Sequence, residues 1–312
     1  MTVALLCPGQ GSQRVGMAKD LAETFPEARA VLGTVDEALG FALSAVMWNG
    51  PEELLTRTDH AQPALLAHSC AVWAVTGPSL ARRVAAAAGH SLGEYSAYAA
   101  AGALGLAEAA RLVRRRGELM RDAGTARPGT MAAVMGLDAD QVAEACREAS
   151  GPDGVVVAAN LNAPDQTVIS GDPGAVARAS ELLKAAGAKR VIPLKVSGAF
   201  HSPLMAPVAE RFQEALEQVE LAPPAFPVVA NASAEPVRDP ATARRLLAAQ
   251  LTSPVRWVES VRTLATLGGE GMEFVEIGPG TVLSGLARRV TAAGRALSLG
   301  TAAEVAAFLE AA

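Results

Sequence analysis

The chain is 312 residues long and has only three cysteines and four histidines, and aromatic residues make up 4% of it. Cys7, Cys70 and Cys146 are odd in number and far apart, which argues against a disulfide framework and for a reduced, cytoplasmic protein. None has a Cys-x-x-Cys neighbour, and His60, His68, His90 and His201 show no zinc spacing, so neither a metal nor any other cofactor is expected. No apolar run reaches the roughly 18 residues of a membrane span. No basic segment precedes Val3-Ala4-Leu5-Leu6, and Pro8-Gly9 follows at once, which predicts a first strand rather than a signal peptide. A net charge of −5 argues against general nucleic-acid binding. Half of the residues are hydrophobic, so with so few rings the core must be built from Ala, Val and Leu. Beyond this richness in alanine there is no repeat or low-complexity linker.

Strand-like segments alternate with helical ones, the pattern of an α/β protein with a parallel sheet. Strands are predicted at 3–6, 83–88, 228–230 and 274–277. Helices are predicted at 27–39, 62–75, 92–101, 106–123, 207–219, 242–250, 255–267 and 282–289, with Pro63 in the first turn of the second. The stretch 130–197 reads differently: strand 131–137, helix 138–150, strands 155–160 and 167–170, helix 172–186, strand 190–196. That βαββαβ order is the ferredoxin-like unit. The expected organisation is a large α/β-hydrolase-like domain with a parallel sheet core, residues 1–128 and 198–312, and an inserted ferredoxin-like subdomain, residues 129–197. Gly129 and Gly198 would be its hinges.

The chemistry concentrates at Gly89-His90-Ser91-Leu92-Gly93. A serine between glycines on a strand-to-helix turn is the pattern of a nucleophile elbow. The turn leaves room only for Gly89 and Gly93 beside the serine, and the helix N-terminus offers free N–H groups to an oxyanion. The plainer reading is a serine that caps the helix. A nucleophilic serine needs a base. His201 lies after the second hinge and before a helix, where the alternative is a capping or surface histidine. His90 adjoins Ser91, so its ring should point away from the serine oxygen, while His60 and His68 read as structural. The loop Gly9-Gln10-Gly11 lacks the third glycine of a dinucleotide fingerprint. The Gln10 and Leu92 amides could form an oxyanion hole. Within Arg114-Arg115-Arg116, Arg115 faces away from the apolar stripe and Arg114 has Glu118 one turn on. Arg116 has Leu112, Leu119 and Met120 around it. It therefore needs an anion from elsewhere, either a substrate carboxylate or a structural partner, unless its head reaches water.

Taken together, the chain resembles the malonyl-CoA:acyl-carrier-protein transacylases. The resemblance is carried by Pro8-Gly9-Gln10-Gly11-Ser12-Gln13, Gln62-Pro63-Ala64, Gly89–Glu94, Arg116-Gly117-x-Leu119-Met120, Phe200-His201-Ser202-Pro203-Leu204-Met205, Gln250-Leu251, Pro254-Val255-x-Trp257 and Glu276-x-Gly278-Pro279-Gly280. It implies Ser91 as nucleophile, His201 as base, Gln10 and Leu92 as oxyanion donors and Arg116 as the grip on the malonyl carboxylate. The main-chain carbonyl of Gln250 would orient His201, without an acidic third member. In related polyketide acyltransferases a Phe before the His resembles the malonyl-selective pattern, which implies a specificity role for Phe200. The expected partners are malonyl-CoA and acyl carrier protein, met by a monomer through Lys189, Arg190 and Lys195 or Arg288 and Arg289, with no role for nucleic acid or membrane. The competing readings are a trans-acting acyltransferase of a polyketide synthase, an acyl hydrolase, and a docking module with a vestigial cleft.

Overall fold

A computed structural model describes all residues except Ser197, Ala293 and Ala312. Its ten strands form two sheets. The larger has the order β10-β9-β1-β2-β7-β8, built from β1 (Val3–Cys7), β2 (Val84–Gly89), β7 (Val228–Val229), β8 (Pro236–Val237), β9 (Glu273–Ile277) and β10 (Arg295–Leu299). All its pairings are parallel except that of β8 with β7. Helices cover both faces of the sheet, so β1 is buried along its whole length and reads Val-Ala-Leu-Leu-Cys without alternation. The smaller sheet contains β3 (Thr130–Met135), β4 (Val156–Ala163), β5 (Gln166–Gly171) and β6 (Arg190–Pro193) in the order β4-β5-β3-β6, all antiparallel. With helices Ala139–Ala149 and Pro173–Ala185 between its strands, this is the ferredoxin-like βαββαβ arrangement.

The chain passes between the two sheets twice, and the passages touch: a Cβ on Gly129 would stand 2.5 Å from the Ala199 nitrogen. The predicted boundary residue Ser197 lies outside the described residues. The predicted strand 190–196 stops as a strand at Pro193, after which the Leu194 amide still reaches across to the Met131 oxygen.

Helix Thr58–Leu80 departs most from expectation. It is buried on nearly every side, polar residues included, and begins four residues before the predicted start, so Pro63 sits inside it rather than in its first turn. Pro63 has no N–H for the Asp59 carbonyl, and that oxygen instead accepts from Arg114 Nη1 at 2.8 Å. Extended to Arg83, this segment is long and apolar enough to cross a membrane, and 67% of its most apolar window is buried in the protein. The expectation that no apolar run reaches such a length is therefore wrong for this segment, where His, Ser and Thr interrupt the apolar residues without making the helix polar. Five short helices or strands also escape the sequence reading: Lys19–Thr24, Leu43–Asn49, Glu52–Thr56, β8 and β10. So does Ala302–Ala311, whose alanines give little periodicity.

Helix Leu106–Ala126 crosses the start of Thr58–Leu80 at backbone contact. A Cβ on Gly117 would lie 2.7 Å from both the Asp59 Cα and the Thr58 carbonyl oxygen. This crossing sets Arg116 against Gln62. Gly117→Ala forces the helices apart and should lower stability by about 1–3 kcal/mol, the usual cost of overpacking. Chemical denaturation measures it, and an unchanged midpoint would contradict the close crossing.

Candidate active site

The carboxyl ends of β1 and β2 lie side by side, with Cys7 paired to Gly89, and the His90 amide donates to the Cys7 carbonyl at 3.0 Å. The loops that follow, Pro8–Gln13 and His90–Leu92, therefore share one crevice, the usual ligand position in an open parallel sheet. The elbow is as tight as its sequence suggests. A Cβ on Gly89 would stand 1.9 Å from the Gly93 carbonyl carbon, and one on Gly93 would stand 2.0 Å from the Cys7 oxygen. Ser91 has φ 52°, a left-handed conformation that non-glycine residues rarely adopt. Its oxygen does not cap the following helix, which has no side-chain cap.

Ser91 Oγ instead lies 2.7 Å from His201 Nε2. His201 Nδ1 lies 3.0 Å from the main-chain oxygen of Gln250. A carbonyl only accepts, so the ring proton sits on Nδ1 and Nε2 is free to take the serine proton. His201 itself has φ 56°. Its bend is held by Ser202, whose hydroxyl donates to the Ala199 oxygen at 2.6 Å and accepts from the Leu204 amide. Burial, and then the Arg116 charge, pull the His201 pKa down to about 3.

Arg116 is only 1% exposed. Nη1 donates to Gln62 Oε1 at 2.8 Å, while Nη2 donates to Gln250 Oε1 at 2.8 Å and to Ser91 Oγ at 3.1 Å. The guanidinium carbon lies 5.3 Å from the centre of the Tyr95 ring. Among the described residues no carboxylate pairs with Arg116, and its Nε–H has no acceptor. Its two neighbours behave as their spacing predicts. Arg114 bonds Glu118 at 2.8 Å, and the Arg115 side chain is 43% exposed.

One cavity of about 280 Å³ brings together Gln10, Ser91, Leu92, Arg116, Phe200 and His201. Neither the Gln10 nor the Leu92 amide is taken up by the turn hydrogen bonds around it. Gln250 lies behind the cavity, with its side chain on Arg116 and its carbonyl on His201. His90 points elsewhere: its Nε2 lies 2.8 Å from Asn162 Oδ1 and its ring packs on Trp257. His68 bonds the Gly300 oxygen, and His60 lies beside Asp59.

Two supporting residues are not visible as functional from sequence. Asn231 accepts from the Ser91 amide at 2.7 Å and donates to the Gly89 oxygen at 2.7 Å, bracing both sides of the elbow. Glu94 accepts from the Asn231 amide and from Gln250 Nε2 at 2.7 Å. Asn231 follows a short strand with no motif around it. Glu94 ends the elbow motif, and its place there is the only available signal.

A serine oxygen with a neutral imidazole on one side and free amides nearby is equipped to attack an ester or thioester carbonyl and to hold the acyl group. That is the chemistry of serine-dependent acyl transfer. The acyl transferase domain family matches residues 4–305, and the chain belongs to it. The chain is 46% identical over 289 residues to the malonyl CoA-acyl carrier protein transacylase of Bacillus subtilis, covering 92% of this chain and 90% of that one. It superposes with TM-score 0.94 and 43% identity on a malonyl-CoA:acyl carrier protein transacylase from Xanthomonas oryzae pv. oryzae, over 100% of this chain and 99% of the other. It matches equally well, with TM-score 0.94 and 40% identity over 100% of both chains, a malonyl-transacylase in complex with its type II PKS acyl-carrier protein.

The lowered pKa of His201 gives a pH test. With His201 as the base of Ser91, an imidazole that stays neutral well below 6.5 would keep the serine reactive there. The acid limb of the Ser91 acylation rate should therefore lie far below that of a free histidine. Rapid-quench mass measurement across pH checks this, and a limb at pH 6–7 would contradict it.

Proposed function

We propose that this protein transfers a malonyl group from malonyl-CoA to the phosphopantetheine thiol of acyl carrier protein through a malonyl ester on Ser91. The observation that carries the proposal is a single oxygen, Ser91 Oγ, within hydrogen-bond reach of both the His201 imidazole and the Arg116 guanidinium. His201 Nε2 takes the hydroxyl proton as Ser91 attacks the thioester carbonyl. The developing oxyanion lies within reach of the Gln10 and Leu92 amides. The carbon–sulfur bond breaks, and the imidazolium returns the proton to the departing coenzyme A thiolate. In the second half the carrier thiol loses its proton to His201 and attacks the ester. The carbon–oxygen bond breaks, and the proton goes back to Ser91.

Arg116 provides the selectivity. A malonyl carboxylate gives the buried cation the counter-charge that its protein partners lack, and an acetyl group leaves it unpaired. Phe200 narrows the cavity beside the base and disfavours a 2-methyl branch. Residues 129–197 act as an inserted subdomain that walls the cleft left open by residues 1–128 and 198–312. For carrier docking, Arg289 is already paired with Asp165 and Arg288 donates to the Ala296 oxygen, whereas Lys189, Arg190 and Lys195 are exposed and Lys195 also lines the cavity, which favours that group. The buried, unpaired cysteines fit a cytoplasmic location.

A second carrier is favoured by a specific likeness, the neighbour seated on a type II PKS carrier protein. Side-by-side transfer to fatty acid and polyketide carrier proteins separates the two.

Intact-mass measurement after mixing with malonyl-CoA tests the core reading. A malonyl adduct is expected on the wild type and not on Ser91→Ala, and its absence from the wild type would defeat the proposal. Arg116→Ala should cut malonyl transfer far more than acetyl transfer, whereas equal losses would remove the carboxylate grip. Malonyl-CoA should be used much faster than methylmalonyl-CoA, and comparable rates would remove the role of Phe200.

A further inference from the structure

Gln10 lies on an exposed loop between two glycines, yet an oxyanion donor must be held within a fraction of an ångström to be effective. A chain of side-chain hydrogen bonds running back to Arg116 supplies the restraint. Arg116 can only donate, so Gln62 must turn its Oε1 toward Nη1. Gln62 Nε2 is then left to donate, and it does so to Thr58 Oγ1 at 3.0 Å and toward Met120 Sδ. The Thr58 hydroxyl, with one acceptor site filled by Gln62, points its own proton at Gln10 Oε1, 2.9 Å away. The charge at the start of the chain sets the sense of the bonds as far as Thr58, and in the structure the Thr58 hydroxyl then donates to Gln10 Oε1. Thr58 is 4% exposed and Gln62 0%, so water cannot readily replace either link. The backbone of Thr58 is itself pinned by the helix crossing at Gly117.

We propose that Thr58 is a positioning residue of the oxyanion hole: its hydroxyl, oriented by Gln62 and Arg116, anchors the Gln10 side chain and thereby fixes the Gln10 amide in the cleft. The inference rests on the acyl-transfer reading above and assigns to that site a residue that touches neither substrate nor nucleophile.

Thr58→Val keeps the shape of the side chain and removes both hydrogen bonds. It should slow acylation of Ser91 in single turnover by roughly tenfold to a hundredfold, less than outright loss of an oxyanion donor at the upper end of its range. KM for malonyl-CoA should change less than twofold. The loss should be the same for malonyl-CoA and acetyl-CoA, because the hole serves both carbonyls. Thr58→Ser should restore the rate, and Thr58→Val should add nothing to the defect of Gln10→Ala. Thermal denaturation of each variant separates these effects from unfolding. The proposal is overturned by wild-type acylation in Thr58→Val, by a loss confined to malonyl-CoA, or by losses that add in the double variant. Failure of the acyl-transfer reading looks different, since the wild type itself would then form no adduct.

Discussion

A guanidinium sealed from water without a carboxylate beside it is the constraint around which this site is built. Isolated burial of such a charge would cost several kcal/mol, and neutral dipoles recover only part of that. Here the recovery comes from two glutamine oxygens, the serine oxygen and the face of Tyr95. All are groups that stabilise a cation without cancelling it. Arg116 therefore lies beside Ser91 Oγ with no carboxylate in contact among the described residues, and its charge has two proposed effects. It helps hold His201 neutral, which readies the base, and it leaves a demand for an anion that a dicarboxylic acyl group can meet.

The proposed nucleophile and base, Ser91 and His201, share a second constraint, one of backbone shape. Ser91 and His201 both occupy left-handed conformations, each costing about 1–3 kcal/mol for a residue with a Cβ. Both are held by neighbours with little freedom. Ser91 is fixed by Gly89, Gly93 and Asn231, and His201 by the Ser202 turn. Since each strained residue sits on a different segment, the 2.7 Å contact between them depends on the packing of the β1–β2 edge against the chain returning from the small sheet.

Much of this was readable from sequence because it rests on local rules. The elbow glycines, the βαββαβ order and the apolar neighbours of Arg116 each follow from spacing within a few residues. The full extent of helix Thr58–Leu80 was not readable, because Pro63 marks a helix start by local rules. Only a partner from another helix, Arg114, makes its interior position tolerable. Asn231 and Thr58 were missed for a related reason. Their partners lie 140 and 48 positions away, and single polar residues carry no periodic signal. The family resemblance supplied the roles of Gln250, Gln10 and Leu92, which spacing alone left open or did not mark.

A carbonyl rather than a carboxylate stands behind His201, and it belongs to the residue whose side chain meets the buried charge. Gln250 divides its groups. Its main chain orients the imidazole, its Oε1 accepts from Arg116, and its Nε2 donates to Glu94. The one carboxyl in the network thus stands a full amide away from the cation. Burial raises its pKa to about 7, against the opposing pull of the Asn231 and Gln250 hydrogen bonds and of Arg116. Its negative charge is thereby partly withheld, and the field it does exert reaches Arg116 through a polarised amide rather than by contact. A glutamine in this position lets one residue hold both His201, the proposed base, and Arg116, the proposed selectivity determinant, while Glu94 reaches Arg116 only through its amide.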